Sequence, residues 1–106
     1  MRIENPEKKV RLPSYVVETI KETAREIFGN GIKLWLFGSR VNPDAKGGDI
    51  DLYLETEEGF NASKVIKFLA KLEMKIGERK VDLIVRKFDA TDEIAIEAKT
   101  KGVRLI

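Results

Sequence analysis

The sequence predicts an α+β fold in which a small mixed β-sheet has its helices packed on one face. Three segments carry apolar residues at helical spacing, and the segments between them alternate apolar and polar residues. Glycine and asparagine residues separate these segments. The chain of 106 residues is long enough for one hydrophobic core. We therefore expect a polar N-terminal arm over residues 1–12 and a single domain over residues 13–106.

The first helix is predicted to open at Pro13 and Ser14 and to end before Gly29. Its apolar stripe comprises Val16, Val17, Ile20, Ala24, Ile27 and Phe28. The stretch KLWLFG then predicts a short buried strand, and DIDLYLE predicts a second strand with one apolar and one polar face. Trp35 and Phe37 alternate in the first of these strands, so we expect them to pack in the core.

The second helix is predicted to have Asn61 as its N-cap and to stop at Gly77. Its apolar face comprises Val65, Leu69, Leu72 and Ile76. KVDLIV follows as a third strand, in which Asp82 points away from the neighbouring valine and leucine side chains. Thr91 is the expected cap of a last helix, and VRLI is a candidate terminal strand.

Composition narrows the chemistry that the chain can perform. It has no cysteine and no histidine, which excludes disulfides, thiolate metal sites and the commonest general base. Any metal site must therefore use oxygen ligands, which favour magnesium or manganese. The net charge of +2 does not indicate a stand-alone nucleic-acid binder. No stretch approaches the roughly 20 apolar residues of a membrane span, and the N-terminus does not resemble a signal peptide, so we expect a cytoplasmic protein.

Three aspartates are candidate metal ligands. Asp49 and Asp51 are two residues apart on one strand, so their carboxylates point to the same side. Asp82 could join them if its strand is a neighbour, and the trio could then hold two divalent ions about 3.5 to 4 Å apart. The alternative is that these aspartates only line the solvated face of a strand.

The turn GSR comes shortly before the paired aspartates and suits a phosphate. Gly38 removes a side chain where a phosphate would approach the backbone, and Ser39 offers a hydroxyl and an amide. Arg40 either opposes phosphate charge or has a structural role with Asp44 or a nearby carbonyl. Tyr53 shares a face with Asp51 and either borders a nucleotide or packs structurally.

The stretch LFGSRVNPDAKGGDIDLYL, followed by KVDLIV, resembles the nucleotidyltransferase superfamily typified by DNA polymerase beta, and in particular the minimal nucleotidyltransferases of prokaryotes. The resemblance implies the polymerase beta-like nucleotidyltransferase fold. It implies that Gly38 and Ser39 bind a nucleoside triphosphate and that Asp49, Asp51 and Asp82 hold two Mg²⁺ or Mn²⁺ ions. The implied reaction transfers a nucleoside monophosphate, AMP from ATP, to an acceptor hydroxyl.

The same resemblance bears on partners. Minimal nucleotidyltransferases commonly pair with small helical HEPN proteins, and some add adenylate to a partner tyrosine, which implies an antitoxin role in a toxin–antitoxin system. The small size of the domain also leads us to expect such a partner or a homo-oligomer. The alternative is a non-catalytic nucleotide-binding or antitoxin subunit that covers a partner protein. Transfer to RNA or to a small antibiotic stays open.

Overall fold

The computed structural model describes residue 10 and residues 12–41 and 48–106. It has three α-helices and four strands in the described ranges, and the predicted α+β class with a small mixed sheet is confirmed. A short 3₁₀ turn, Gly38–Val41, follows the first strand. The elements are α1 (Ser14–Phe28), β1 (Lys33–Phe37), β2 (Ile50–Thr56), α2 (Ala62–Ile76), β3 (Val81–Lys87), α3 (Glu93–Lys101) and β4 (Val103–Arg104).

The four strands lie in the order β3-β2-β1-β4. β1 runs antiparallel to both β2 and β4, whereas β2 and β3 are parallel. A parallel pair needs a crossover connection, and α2 provides it. β2 is therefore flanked on both sides, and β3 and β4 form the two edges of the sheet.

The helices α1 and α2 cover one face of the sheet. The apolar stripes predicted for both helices pack there against β2 residues that are 0% exposed, namely Ile50, Leu52 and Leu54. The predicted Asn61 cap is confirmed, because its side chain accepts a hydrogen bond of 3.1 Å from the Lys64 N–H. Val10 and Leu12, the described residues of the expected N-terminal arm, also pack into this core.

The third helix lies against the opposite face. Ala95 and Ala98 of α3 are fully buried with Trp35, Phe37 and Tyr53. The expectation that helices share one face thus holds for α1 and α2 but not for α3, whose small alanines allow close approach to the aromatic side chains. The predicted Thr91 cap is wrong by one residue, because Asp92 is the N-cap.

A buried ion pair joins α3 to β2. The Glu55 side chain is 1% exposed and lies 2.8 Å from the Lys99 ammonium. It also accepts hydrogen bonds from the Tyr53 hydroxyl at 2.7 Å and the Asp89 N–H at 3.2 Å. Burial acts to raise the pKa of Glu55, but the hydrogen bonds outweigh it and lower the pKa. The carboxylate is therefore held in its charged form.

Replacing Lys99 by methionine should remove the cation while Glu55 stays buried. Removing one partner of a buried ion pair typically lowers the free energy of unfolding by roughly 3–5 kcal/mol. Because the Lys99 side chain is 23% exposed, we expect the free energy of unfolding, measured in urea at neutral pH, to fall by an amount at or below the low end of that range. Lys101→Met, an exposed change on the same helix, is the matched control. An equal loss in that control would show that the Glu55 pair contributes nothing special.

Candidate active site

Gly38 and Asp51 meet where β1 ends. Phe37, the last residue of β1, pairs with Asp51 of β2, and Gly38 follows with a φ of +80°. A methyl group on Gly38 would overlap the Oδ2 atom of Asp51 and lie 3.3 Å from its Cγ. Both the backbone conformation and the lack of space therefore require glycine at this position.

Asp51 and Asp82 are neighbours across the parallel pair. The register places them directly beside each other, on strands that are about 4.8 Å apart. Val81, Leu83 and Val85 pack in the core beneath α1 and α2, so alternation puts Asp82 on the other face, where it is exposed. Asp49, also exposed, stands two residues before Asp51. All three predicted acids thus come to one end of one face.

The charge of Asp51 is poorly compensated. Burial raises the pKa of this carboxyl, and the negative charges of Asp82 and Asp49 raise it further, while among the described residues Lys80 alone acts in the opposite direction. At the other end of the same strand face, Glu55 has a cation and two hydrogen-bond donors. The protein therefore neutralises Glu55 itself, whereas Asp51 is suited to an external cation.

Lys80 is a site residue that the sequence reasoning missed. Its carbonyl accepts a hydrogen bond of 2.9 Å from the Ile50 N–H, which continues the β2–β3 pairing one residue before β3. Because it stands two residues before Asp82, alternation gives it the same face as the acids. That spacing was visible in the sequence and could have identified it.

Arg40 has a structural contact. Its Nη2 donates a hydrogen bond of 2.9 Å to the Gly48 carbonyl, which ties the 3₁₀ turn to the residue before Asp49. This agrees with the predicted contact to a nearby carbonyl, whereas Asp44 lies outside the described residues. The side chain of Ser39 is likewise outside what the structure describes, so its predicted phosphate contact stays a prediction.

Tyr53 is a structural residue. Its side chain is 0% exposed, and its hydroxyl donates to Glu55. Burial, together with Glu55, raises the pKa of this phenol above its ordinary value. Its position beneath α3 supports the structural alternative over a place beside a nucleotide.

The carboxylates of Asp49, Asp51 and Asp82 are the kind of oxygen ligand that magnesium and manganese ions prefer. In the described part of the chain, no group of three or more carboxylates is already arranged to hold a metal ion. Magnesium usually takes only one or two carboxylates and completes its shell with phosphate oxygens and water. The Asp51 and Asp82 pair, with Asp49 beside it, meets that need when a triphosphate supplies the other ligands.

Comparison with known proteins identifies one matching family. A family model described as "Polymerase beta, Nucleotidyltransferase" matches residues 18–106. The matched region contains the 3₁₀ turn and all three acids. A search of curated proteins finds no match. None of the described helices is long and apolar enough to cross a membrane.

Replacing Gly38 by alanine should be more damaging than replacing Gly77. Gly77 has a similar φ of +85°, but no atom lies within 4 Å of an added methyl group. Gly77→Ala should therefore lower the free energy of unfolding only by the roughly 1–2 kcal/mol that a left-handed backbone conformation costs a residue with a side chain. Gly38→Ala should lower the free energy of unfolding by more than this. It should also displace the Asp51 carboxylate and so weaken manganese binding, measured by paramagnetic resonance. Equal effects of the two changes would refute the close contact with Asp51.

Replacing Asp51 by asparagine should stabilise the metal-free protein. The raised pKa of Asp51 means that the folded state holds the proton more tightly than the unfolded state. Stability therefore falls as the pH rises from the unfolded pKa through the folded one. Asp51→Asn removes this loss of stability. In urea unfolding with EDTA, the variant should therefore be more stable than the parent at pH values above the folded-state pKa of Asp51, and the two should be equally stable in acid.

Glu57→Gln, an exposed change just after β2, controls for loss of a carboxylate. An Asp51→Asn variant that is less stable than the parent at neutral pH would contradict the uncompensated charge.

Proposed function

The chain belongs to the polymerase beta nucleotidyltransferase family, and from this premise we propose that it transfers AMP from ATP to an acceptor hydroxyl. One observation carries the proposal, namely the in-register pairing of Asp51 with Asp82 beside a turn that approaches Asp51 at a glycine. Phosphoryl transfer depends on positioning and charge neutralisation more than on acid–base side chains. A chain without histidine or cysteine is compatible with that chemistry.

In the proposed reaction the acceptor oxygen attacks the α-phosphorus of ATP. The bond from that phosphorus to the bridging oxygen breaks, pyrophosphate leaves, and the acceptor hydroxyl loses its proton. Two magnesium or manganese ions, when bound, would supply charge neutralisation on the triphosphate and a lowered pKa at the acceptor hydroxyl. Asp49 and Asp51 would hold the nucleotide side of the site, and Asp82 the acceptor side.

The turn after β1 would receive the phosphates. Gly38 opens the 3₁₀ turn with a positive φ, and a turn of this kind can direct successive backbone N–H groups to one side, where they bind anions. Ser39 would add its hydroxyl. Arg40, already bonded to Gly48, would hold the turn in place and bring positive charge near it.

The acceptor would come from another molecule. The acids stand at an open end of the strands, where Asp49 and Asp82 are exposed, and one domain of this size has little surface left to enclose an acceptor. We take a tyrosine of a helical HEPN partner as the acceptor, which makes the chain a cytoplasmic antitoxin that acts by adenylation. The resemblance to minimal nucleotidyltransferases supports this choice.

The second candidate is a non-catalytic subunit that binds a nucleotide or covers a partner. Incubation with labelled ATP, magnesium and a candidate HEPN protein separates the two functions. Covalent label on the partner, lost when its tyrosines are replaced by phenylalanine, requires catalysis. Tight binding of the partner without any label on protein, RNA or small-molecule hydroxyls would contradict the transferase proposal.

Asp82→Asn should separate binding from transfer. If Asp82 serves the acceptor side, the variant should keep most of its affinity for magnesium and a non-hydrolysable ATP analogue in calorimetric titration. Its single-turnover transfer should fall about 100- to 10,000-fold, as expected when assisted proton transfer is lost. Asp51→Asn should impair binding and transfer together. Parental transfer by Asp82→Asn would refute the assigned role.

A further inference from the structure

Lys80 stands beside the acids in the pairing of the two parallel strands. The register of β2 and β3 places Asp51 next to Asp82. The hydrogen bond of 2.9 Å from the Ile50 N–H to the Lys80 carbonyl continues the same register toward the N-terminal end of both strands. Lys80 is therefore the cross-strand neighbour of Asp49, at a strand separation of about 4.8 Å. A lysine and an acid thus form the outer row of the cluster, and two acids form the inner row.

The ammonium group of Lys80 is not used to neutralise a carboxylate of the protein. Elsewhere, Lys99 binds Glu55 at 2.8 Å and Lys64 binds Glu58 at 2.7 Å. Lys80 is exposed, and none of the ion pairs between described residues involves it.

The charge of Lys80 nevertheless acts on the acid cluster. Burial raises the pKa of Asp51, the neighbouring acids Asp82 and Asp49 raise it further, and the charge of Lys80 lowers it. This effect agrees with the place that the strand register gives to Lys80. The ammonium is therefore close enough to influence the cluster without being bonded to it.

The position of Lys80 complements that of the turn after β1. In the sheet, β2 lies between β1 and β3. The Gly38–Val41 turn begins where β1 ends, beside Asp51, whereas Lys80 precedes β3 on the other side of the acids. An anion held over the acids would therefore meet the turn on one side and the ammonium on the other. Lysine binds phosphate as a compact charge on a flexible stem.

The sign of the Lys80 charge has opposite effects on the two ligands of the site. A divalent cation bound by the acids is repelled by the ammonium, whereas a phosphate group is attracted to it. Lys80 therefore opposes the binding of a metal ion alone and favours the binding of a metal ion that carries a triphosphate.

We propose that Lys80 binds a phosphate oxygen of the nucleoside triphosphate and thereby couples nucleotide binding to metal binding. The proposed function supplies the identity of this ligand, and the inference rests on it to that extent. Coupling between two ligands is reciprocal, so the nucleotide raises the affinity for the metal by the same factor as the metal raises the affinity for the nucleotide. The site then favours the metal–triphosphate complex over the free ion.

Lys80→Met should change the two affinities in opposite directions. Without nucleotide, the affinity for manganese, measured by paramagnetic resonance, should rise about 2- to 30-fold because the repulsion is removed. At saturating magnesium, the affinity for a non-hydrolysable ATP analogue, measured by calorimetric titration, should fall about 10- to 100-fold because a charge-assisted hydrogen bond is lost. Both are binding measurements and do not depend on transfer.

Two further variants serve as controls. Lys87→Met removes the same charge from an exposed position at the other end of β3 and should leave both affinities unchanged. Lys80→Arg keeps the charge at the site and should keep both affinities near those of the parent.

The inference is overturned if both affinities change in the same direction in Lys80→Met, or if the affinity for the analogue is unchanged. A lysine that only repels metal ions would give a rise in both affinities, and one that only supports the fold would give a fall in both. A parent chain that does not bind the analogue at all contradicts the proposed function as well. Parental binding that Lys80→Met leaves intact contradicts this inference alone.

Discussion

One face of β2 is partly exposed at Asp51 and fully buried at Glu55, and this difference governs both the packing and the chemistry of the domain. Asp51 and Glu55 lie on the same face of β2, and among the described residues only Glu55 has an ion pair with a cation. Glu55 lies beneath α3 and has its charge matched by Lys99. Asp51 lies at the open end beside Asp82, and burial raises its pKa. One face thus serves as core at one end and as a candidate metal site at the other.

This difference between the two ends of the face explains why α3 packs on the opposite side of the sheet from α1 and α2. A helix can cover a polar strand face only where the polar groups satisfy one another, since an unpaired buried charge is costly. Tyr53, Glu55 and Lys99 form such a set, and the alanines of α3 pack beside them. Within the part of the chain that the structure describes, no corresponding set surrounds Asp51. The electrostatics there are unfavourable for folding, a compromise between stability and function that is common at functional sites.

The sequence predicted most of this arrangement where local rules apply. Helix periodicity identified α1 and α2, Asn61 identified the start of α2, and strand alternation placed Asp82 opposite the core. The face covered by α3 was not predictable in this way, because its buried contacts involve two alanines and a tertiary ion pair between Glu55 and Lys99. The N-cap was displaced to Asp92, whose carboxylate also binds Arg86. Lys80 was not predicted, although its spacing of two residues from Asp82 is visible in the sequence.

The strand connections also bear on the order in which the domain folds. Ile50 pairs with Val81 across one helical crossover, whereas Trp35 must find Arg104, which lies much farther along the chain. Loop-closure entropy rises with the length of the intervening chain, so contacts of lower sequence separation form more readily. The β2–α2–β3 unit, which brings Asp51 beside Asp82, can therefore assemble before β4 completes the other side of the sheet. The neighbourhood of Asp51 and Asp82 therefore depends less on closing a long stretch of chain than the β1–β4 pairing does.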